Sequence, residues 1–483
     1  MKKPKILLLS DDITSTSGIG TMSREFVFWS SDKVDWVQLG SAVNHPDVGK
    51  VIDLSTIVNN ATGYDNASVI VHPYSGYGDP IALRKLIEEY KPDAILHFTD
   101  PRYWQWLYQM EYEIHTKYQI PIMYYAIWDN LPYPYWNKGS YSACDLIMSI
   151  SKQSKLIHDV VLESGGVKTR DLNSNYKNHE AGDVIVTYVP HGVNDDIYYP
   201  IDSKSKFYDE YVKFSTPLRE KYDFIVLWVN RNIRRKQPAD VIHSFKIFCD
   251  KIGKDLSKRT LLIMHTNPID ENGTDLNACR EIIAKDCNII FSTSKLGHEQ
   301  MNFQYNVADV TLNIGSNEGF GLSSLESIMA GTMVINNVTG GLQDQMGFKD
   351  HDGNLYFPNR EVPSNHIGTY KQCGEWAIPV YPSNRSIQGS VQTPYIFDDR
   401  CDASDVAKAL QKVYLLERKT RKSRGLKGRE WARSEEVGMT SKLMCKGMYE
   451  SMMKCIENFK TSKFSLKRIA PHTNKLESGI IDK

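Results

Sequence analysis

Short, continuous apolar runs alternate with longer amphipathic stretches along most of the chain. Lys5–Ser10, Val34–Leu39, Val69–Val71, Ala94–Phe98, Ile122–Ala126, Leu146–Ile150 and Val184–Val189 read as strands, and Pro80–Tyr90 and Tyr103–Lys117 as helices between them. Runs that are apolar at nearly every position suit parallel strands covered on both faces. The pattern restarts at Phe224–Val229 and continues through Leu261–His265, Ile289–Phe291 and Val310–Ile314, with a helix at His298–Asn306 before the last of these. Further helices are predicted at Ala403–Glu417, at the basic stretch Lys419–Arg433, and at Ser441–Phe459, where Leu443, Met444, Met448, Met452 and Ile456 form an apolar stripe. Strand–helix alternation of this kind predicts an α/β architecture of doubly wound sheets, whose ligands bind in the loops beyond the carboxyl ends of the strands.

With 483 residues, the chain is too long for one ordinary core and predicts two domains. Lys plus Arg and Asp plus Glu each total 58, so no global field draws it to nucleic acid or to an anionic membrane. Its 8 cysteines show neither C-x-x-C nor zinc-type spacing with histidine, which favours reduced thiols and a cytoplasmic location. The apolar core of the first run, Ile6 to Leu9, is too short for a signal peptide or a membrane span. Gly165 to Gly182 and about 348–399 are polar and irregular, and read as insertions.

The most informative stretch is Ser316 to Asn336, SNEGFGLSSLESIMAGTMVIN. Gly319 and Gly321 let the backbone turn sharply and approach a ligand, and Ser323 or Ser324 is placed to cap the helix that follows. A helix N-terminus carries about half a positive charge and unpaired amides, and so attracts a phosphate. Glu318 and Glu326 flank that position. Carboxylates accept hydrogen bonds from hydroxyls, and a molecule with hydroxyls on both sides of a diphosphate is a nucleotide sugar.

This stretch resembles the E-G-F-G-L-x-x-x-E-x-x-x-x-G signature of retaining glycosyltransferases of the two-Rossmann-domain (GT-B) fold, family 4 type. Pro190-His191-Gly192-Val193-Asn194, ending at Pro200, is similar to the segment that joins the two domains of that family. The resemblance implies two Rossmann-like domains facing each other across a cleft: an acceptor domain at 1–199 and a donor domain at 200–440, with the polar insertion at about 348–399. A helix at 441–460 would cross back to the first domain, and 461–483 would form a flexible tail. It also implies metal-independent transfer of a sugar, with retention, from a nucleoside-diphosphate sugar to a hydroxyl acceptor, with no cofactor. Glu326 would hold the ribose and Glu318 the sugar hydroxyls. Arg231, Lys236 and the backbone of Gly319, Phe320, Gly321 and Leu322 would hold the diphosphate. Fixed cations stabilise the negative charge that grows on the leaving oxygen. The basic loop RNIRRK, directly after a strand, suits that task, although in isolation it also reads as a solvated charge run.

Elsewhere the signals are thinner. Gly18-Ile19-Gly20 opens a helix and offers amides to a phosphate, and a plain flexible turn is the other reading. It does not match the nicotinamide fingerprint, because the third glycine position is Ser23 and the strand ends well before Gly18. Ser292-Thr293-Ser294 reads as a nucleobase loop, with Ser294 its candidate contact. Many members of the resembling family carry a histidine where this chain has Trp128-Asp129, so Asp129 is the first-domain catalytic candidate, followed by His97 and Asp100. An Asp before Asn also commonly starts a turn. The acceptor is read as a glycan, lipid-linked or protein hydroxyl, and the tail lysines leave peripheral membrane contact open. A nucleotide-sugar 2-epimerase and a catalytically silent sugar-binding or scaffold protein are the alternative readings.

Overall fold

The computed structural model describes residues 3–174 and 180–461; the tail expected over 461–483 lies outside them but for its first residue, as does part of the Gly165 to Gly182 insertion. The first sheet contains β1 (Lys5–Asp11), β2 (Asp35–Ala42), β3 (Ile52–Asp53), β4 (Val69–Ser75), β5 (Ala94–Phe98), β6 (Ile122–Ala126), β7 (Leu146–Ser149), β8 (Thr169–Arg170) and β9 (Val184–Tyr188). Their spatial order is β3-β4-β2-β1-β5-β6-β7-β9-β8, parallel throughout except for β3 against β4. The second sheet contains β10 (Phe224–Val229), β11 (Thr260–His265), β12 (Ile289–Ser292), β13 (Val310–Asn313), β14 (Met333–Asn337) and β15 (Ala377–Val380). It is ordered β12-β11-β10-β13-β14-β15, all parallel. In each sheet the first strand in sequence lies where the winding reverses, β1 between β2 and β5, and β10 between β11 and β13. That switch point opens a crevice at the carboxyl edge.

Alternate residues of the strands feed opposite layers. Leu7, Leu9, Ile95 and Ile147 pack on one face of the first sheet, and Phe224, Val226, Trp228 and Leu262 on one face of the second. Residues of the other two faces, among them Ile6, Leu8, Leu96, Ile225, Leu227 and Val334, belong to one continuous apolar cluster that joins the two halves. The helix Ser441–Asn458 contributes Met444, Cys445, Met448, Met452 and Cys455 to that cluster. It packs on the helix Gly18–Ser30 of the first half, where Cys445 Sγ lies 3.6 Å from the carbonyl of Phe26 and Ser441 Oγ donates to Glu25. The chain enters this helix beside the joining segment: the amide of Val193 donates to Met439 O at 3.2 Å, and that of Ser441 to Val193 O at 3.1 Å. Gly192 is required there, since a Cβ would fall 2.3 Å from the carbonyl oxygen of Thr440.

Three expectations are corrected. The helix predicted over Tyr103–Lys117 is broken: a 3-10 turn at Pro101–Tyr103 gives way to Gln105–Gln109 and Glu111–Glu113, then to a π-turn at Ile114–Tyr118. The buried Trp104 carries non-helical backbone angles at the break, φ −118° and ψ 24°. The stretch 348–399 is not a structureless loop. It supplies β15 to the second sheet and an antiparallel hairpin, β16 (Asn384–Ser390) and β17 (Thr393–Arg400). Neither Ser323 nor Ser324 caps the helix Leu322–Met329, whose N-cap is Gly321 at φ 89°; Ser324 Oγ instead donates to Asn336 Oδ1 at 3.0 Å. Among the described residues no helix is long and apolar enough to cross a membrane. All eight cysteines are free thiols.

Candidate active site

The loops at the two carboxyl edges face one another across a cavity of about 980 Å³. After β10 the chain runs through Asn230 and Arg231 into a 3-10 turn, Arg234–Lys236, closed by Gln237 in the left-handed region at φ 55°. That turn directs the buried Lys236 inward to an ion pair with Oε1 of Glu318. Arg235 lies 3.5 Å from the other oxygen of Glu318 and donates to the carbonyl of Asn317 at 2.8 Å. Burial pushes the Glu318 carboxyl up, but the charges of Lys236 and Arg235 outweigh it and hold it below the usual carboxylate value. Glu318 is thus an ionised, buried carboxylate held between two cations.

Beyond Glu318 the backbone of Gly319 to Leu322 lines the cavity. The amides of Gly319, Phe320, Gly321, Leu322 and Ser323 find no acceptor among the described residues. A row of unpaired amides at the start of a helix, next to Lys236 and Arg235, is a site for an anion. The loop is braced from behind by the 3-10 helix Gly340–Met346. The Gly341 amide donates to Glu318 O at 2.9 Å, and Gln345 Nε2 to Phe320 O at 2.6 Å. Further along, Glu326 accepts a 2.5 Å hydrogen bond from the Tyr305 hydroxyl, and the surrounding protein raises its pKa to about 7.

From the first half, the loop after β6 brings Asp129 against this same segment. A Cβ at Gly319 would sit a tight 3.2 Å from the carbonyl of Ile127 and 4.0 Å from Asp129 Oδ2, so a side chain there would push the two loops apart by a few tenths of an ångström. Asp129 is 9% exposed. Burial raises its pKa to about 7, Glu318 adding to the shift and Arg235 and Lys236 opposing it. Gln153 Nε2 donates to the Asp129 carbonyl at 2.6 Å, and Gln153 Oε1 accepts from Gln343 Nε2 at 3.1 Å. Asn317 Nδ2 donates to Asn130 Oδ1 at 3.0 Å, and the Lys152 amide to Asp344 at 2.8 Å. The last three of these hydrogen bonds cross between the halves.

The remaining candidates are placed differently. Arg231 stands at the rim with its side chain 62% exposed, paired through two nitrogens with Asp270 at 2.7 and 3.1 Å. Gly18 lines the cavity, whereas Gly20 does not, and its amide is taken by the N-cap Ser17 Oγ at 2.9 Å. Ser294 is exposed and outside the cavity lining; His265, Thr266 and Asn267 line that side instead. Asp100 lines the cavity and is bound to Arg102, while His97 is fully buried, hydrogen-bonded to Tyr108 and, by burial, lowered to about 3. Two lining residues escaped the sequence reading as site residues. His191 is kept neutral by burial, near 3, with Tyr125 hydroxyl 2.8 Å from its Nδ1, and its ring packs on Phe320 at 5.3 Å. Arg235 is the other; the RNIRRK run contained its signal but not which cation the turn would direct inward. Among the described residues no three His, Cys, Asp or Glu side chains cluster as a metal site.

No protein-family model and no curated protein matches the chain. Among solved structures it is similar to a sucrose-phosphate synthase from Thermosynechococcus elongatus, at 14% identity and TM-score 0.61, over 94% of this chain and 100% of that one. It is likewise similar to a glycosyltransferase from Rickettsia africae, at 15% identity and TM-score 0.57, over 95% of this chain and 100% of that one. Anabaena HepE, solved in complex with UDP and glucose, is similar at 10% identity and TM-score 0.59, over 93% of this chain and 99% of that one. Likeness at these identities is likeness of fold, and it extends along nearly the whole of each chain. The protein has the GT-B fold, two Rossmann-like halves about a central cleft.

Proposed function

We propose that the protein is a glycosyltransferase that takes a sugar from a nucleoside-diphosphate sugar and passes it, with retention and without a metal ion, to a hydroxyl acceptor. The observation that carries this reading is the convergence of the Lys236–Glu318 ion pair, Arg235 and the row of unpaired amides from Gly319 to Ser323 on one cavity. The diphosphate would lie on those amides and draw Lys236 and Arg235 toward it. Glu318, released from part of its ion pair, would then accept hydrogen bonds from the transferred sugar. Glu326, with its partner Tyr305, would hold the ribose diol.

In the transfer, the bond from the anomeric carbon to the β-phosphate oxygen breaks. The acceptor oxygen bonds to that carbon on the same face, and its proton passes to the leaving phosphate. Lys236 and Arg235 stabilise the phosphate charge as it develops. Asp129 faces Glu318 from the first half, where the acceptor would enter, and its raised pKa suits a group that holds a proton near neutral pH. Arg231 is the rim cation of the donor site, exchanging Asp270 for phosphate when the donor enters.

The similarity to a protein solved with UDP and glucose makes UDP-glucose the first donor to test. The experiment is a melting and hydrolysis assay with UDP, ADP and GDP and their glucose esters, with and without EDTA, on the wild type, Lys236→Ala and Glu326→Ala. The reading expects a rise in Tm for one nucleotide that persists in EDTA and is lost in both variants, together with slow release of sugar of unchanged anomeric configuration. Folded protein that responds to none of the nucleotides would refute it.

A further inference from the structure

A second cavity, about 480 Å³, lies away from the cleft, between the helix Tyr208–Lys221, the segment before β13, the turn before β14 and the start of the helix Arg418–Ala432. Its chemistry is cationic. Arg219, Arg418, Arg421 and Lys422 line it, against Asp202 and Asp309. Asp309 is shared by two of these cations, accepting from Arg219 Nη1 at 2.8 Å and lying 3.3 Å from Arg421 Nε. It also accepts from the amide of Ile225 at 2.8 Å, so one buried carboxylate takes two hydrogen bonds and pairs with a second guanidinium.

Arg421 is 8% exposed and stacks on the ring of Phe224 at 5.1 Å; among the described residues its buried Nε makes no hydrogen bond, with only the Asp309 carboxylate facing it at 3.3 Å, and the Nε of Arg219 makes none either, although its two Nη atoms donate to Asp309 and to the Val307 carbonyl. A guanidinium that is desolvated and under-bonded is costly unless an anion completes it. Arg418 and Lys422, both exposed at the cavity mouth, make no salt bridge among the described residues.

The placement of these residues also runs against helix electrostatics. Arg418, Lys419, Arg421 and Lys422 occupy the first five positions of their helix, whose first turn holds no acidic residue and whose N-cap Glu417 makes no capping hydrogen bond. Positive side chains belong at the other end, since the N-terminus is itself positive. That concentration of charge is favourable only with an anion in front of it. The cavity, walled by two helices and a strand edge and lined also by Ser215, Thr216 and Tyr208, has room and hydroxyl partners for more than a bare ion. We propose that it is a second ligand site, separate from the cleft, that binds a small phosphorylated metabolite through Arg421, Arg418 and Lys422.

The test uses full-length protein carrying Lys236→Ala, which removes one of the cations that line the cleft, and titrates inorganic phosphate and glucose 6-phosphate by calorimetry at low ionic strength. Hydrogen exchange reports the location. Saturable binding is expected, with protection of amides 418–422, and with affinity at least tenfold weaker when Arg418→Ser and Lys422→Ser are added. Both of these residues are exposed, so the fold and Tm should survive, and Arg421→Gln serves as the interior variant. Binding unaffected by Arg418→Ser/Lys422→Ser, or no saturable binding by folded protein, would overturn the proposal. Sedimentation with phosphatidic acid vesicles that depends on the same residues, without glucose 6-phosphate binding, would reassign the phosphate to a lipid headgroup and overturn the metabolite.

Discussion

A carboxyl enclosed between two halves of a protein and facing a second carboxylate keeps its proton to unusually high pH. Asp129 is that group, with a pKa near 7 against 3.8 when unperturbed. Between those values the unfolded chain has released the proton and the folded one retains it, so stability falls as pH rises from about 4 to 7 and then levels off. A shift of about 3 units at ~1.4 kcal/mol each bounds the effect at about 4 kcal/mol. Glu326, near 7, and Asp344, near 6, act in the same direction. Asp129→Asn is therefore expected to flatten the decline in Tm between pH 5 and 8 in part, and to be more stable than wild type at pH 8, as differential scanning calorimetry will read. The Lys236–Glu318 pair answers to a different rule. Lys236→Ala leaves the buried Glu318 with Arg235 alone, 3.5 Å from its other oxygen, and is expected to cost up to about 3–5 kcal/mol in urea denaturation, of which a following Glu318→Gln recovers a part. Arg231→Ala, at an exposed pair with Asp270, should cost under about 1 kcal/mol.

The hairpin β16–β17 grows out of the second half and reaches the first. Arg102 donates to Thr393, the Phe397 amide donates to Leu131 O at 2.7 Å, and the Tyr395 hydroxyl donates to Tyr133 O at 3.1 Å, with its ring 4.4 Å from that of Trp136. Ile396, on the same strand, lines the cleft. Tyr395→Ala is expected to speed hydrogen exchange over residues 384–400 at least tenfold. In the proposed transfer it should raise hydrolysis of the donor relative to transfer, as product analysis will show, because water would gain access to the proposed acceptor side. None of this strap was legible in the sequence. Its residues are largely polar and exposed, and its partners lie more than 250 positions away. The interior strands were legible because both their faces are covered. Pro80–Tyr90 was legible to the residue, since Asp79 caps it and Pro80 starts it. Ser294 lies outside the cavity lining for a topological reason: β12 is the outermost strand of its sheet, so the loop after it opens away from the switch point. Lys236 was named only through the family resemblance, and Arg235 beside it was not named, because the turn closed by Gln237 in a left-handed conformation carries no spacing signal of its own.

Across the whole molecule, a single apolar cluster runs from the first sheet to the second, so the halves should unfold together. Met448, 1% exposed in the crossing helix, is a sensitive reporter. Met448→Ala is expected to cost about 2–5 kcal/mol, and if the cluster couples the halves, the urea transitions followed at each half will still coincide. The crossing helix also sets an order of events in synthesis. Cys445 rests on Phe26, 419 positions earlier in the chain. At ribosomal speeds of about 5–20 residues per second, the opening helix waits roughly 20–80 s after its own synthesis with its flank uncovered. Throughout that interval a greasy groove is open to water or to a chaperone, and a nascent chain stalled before residue 441 is left in that condition.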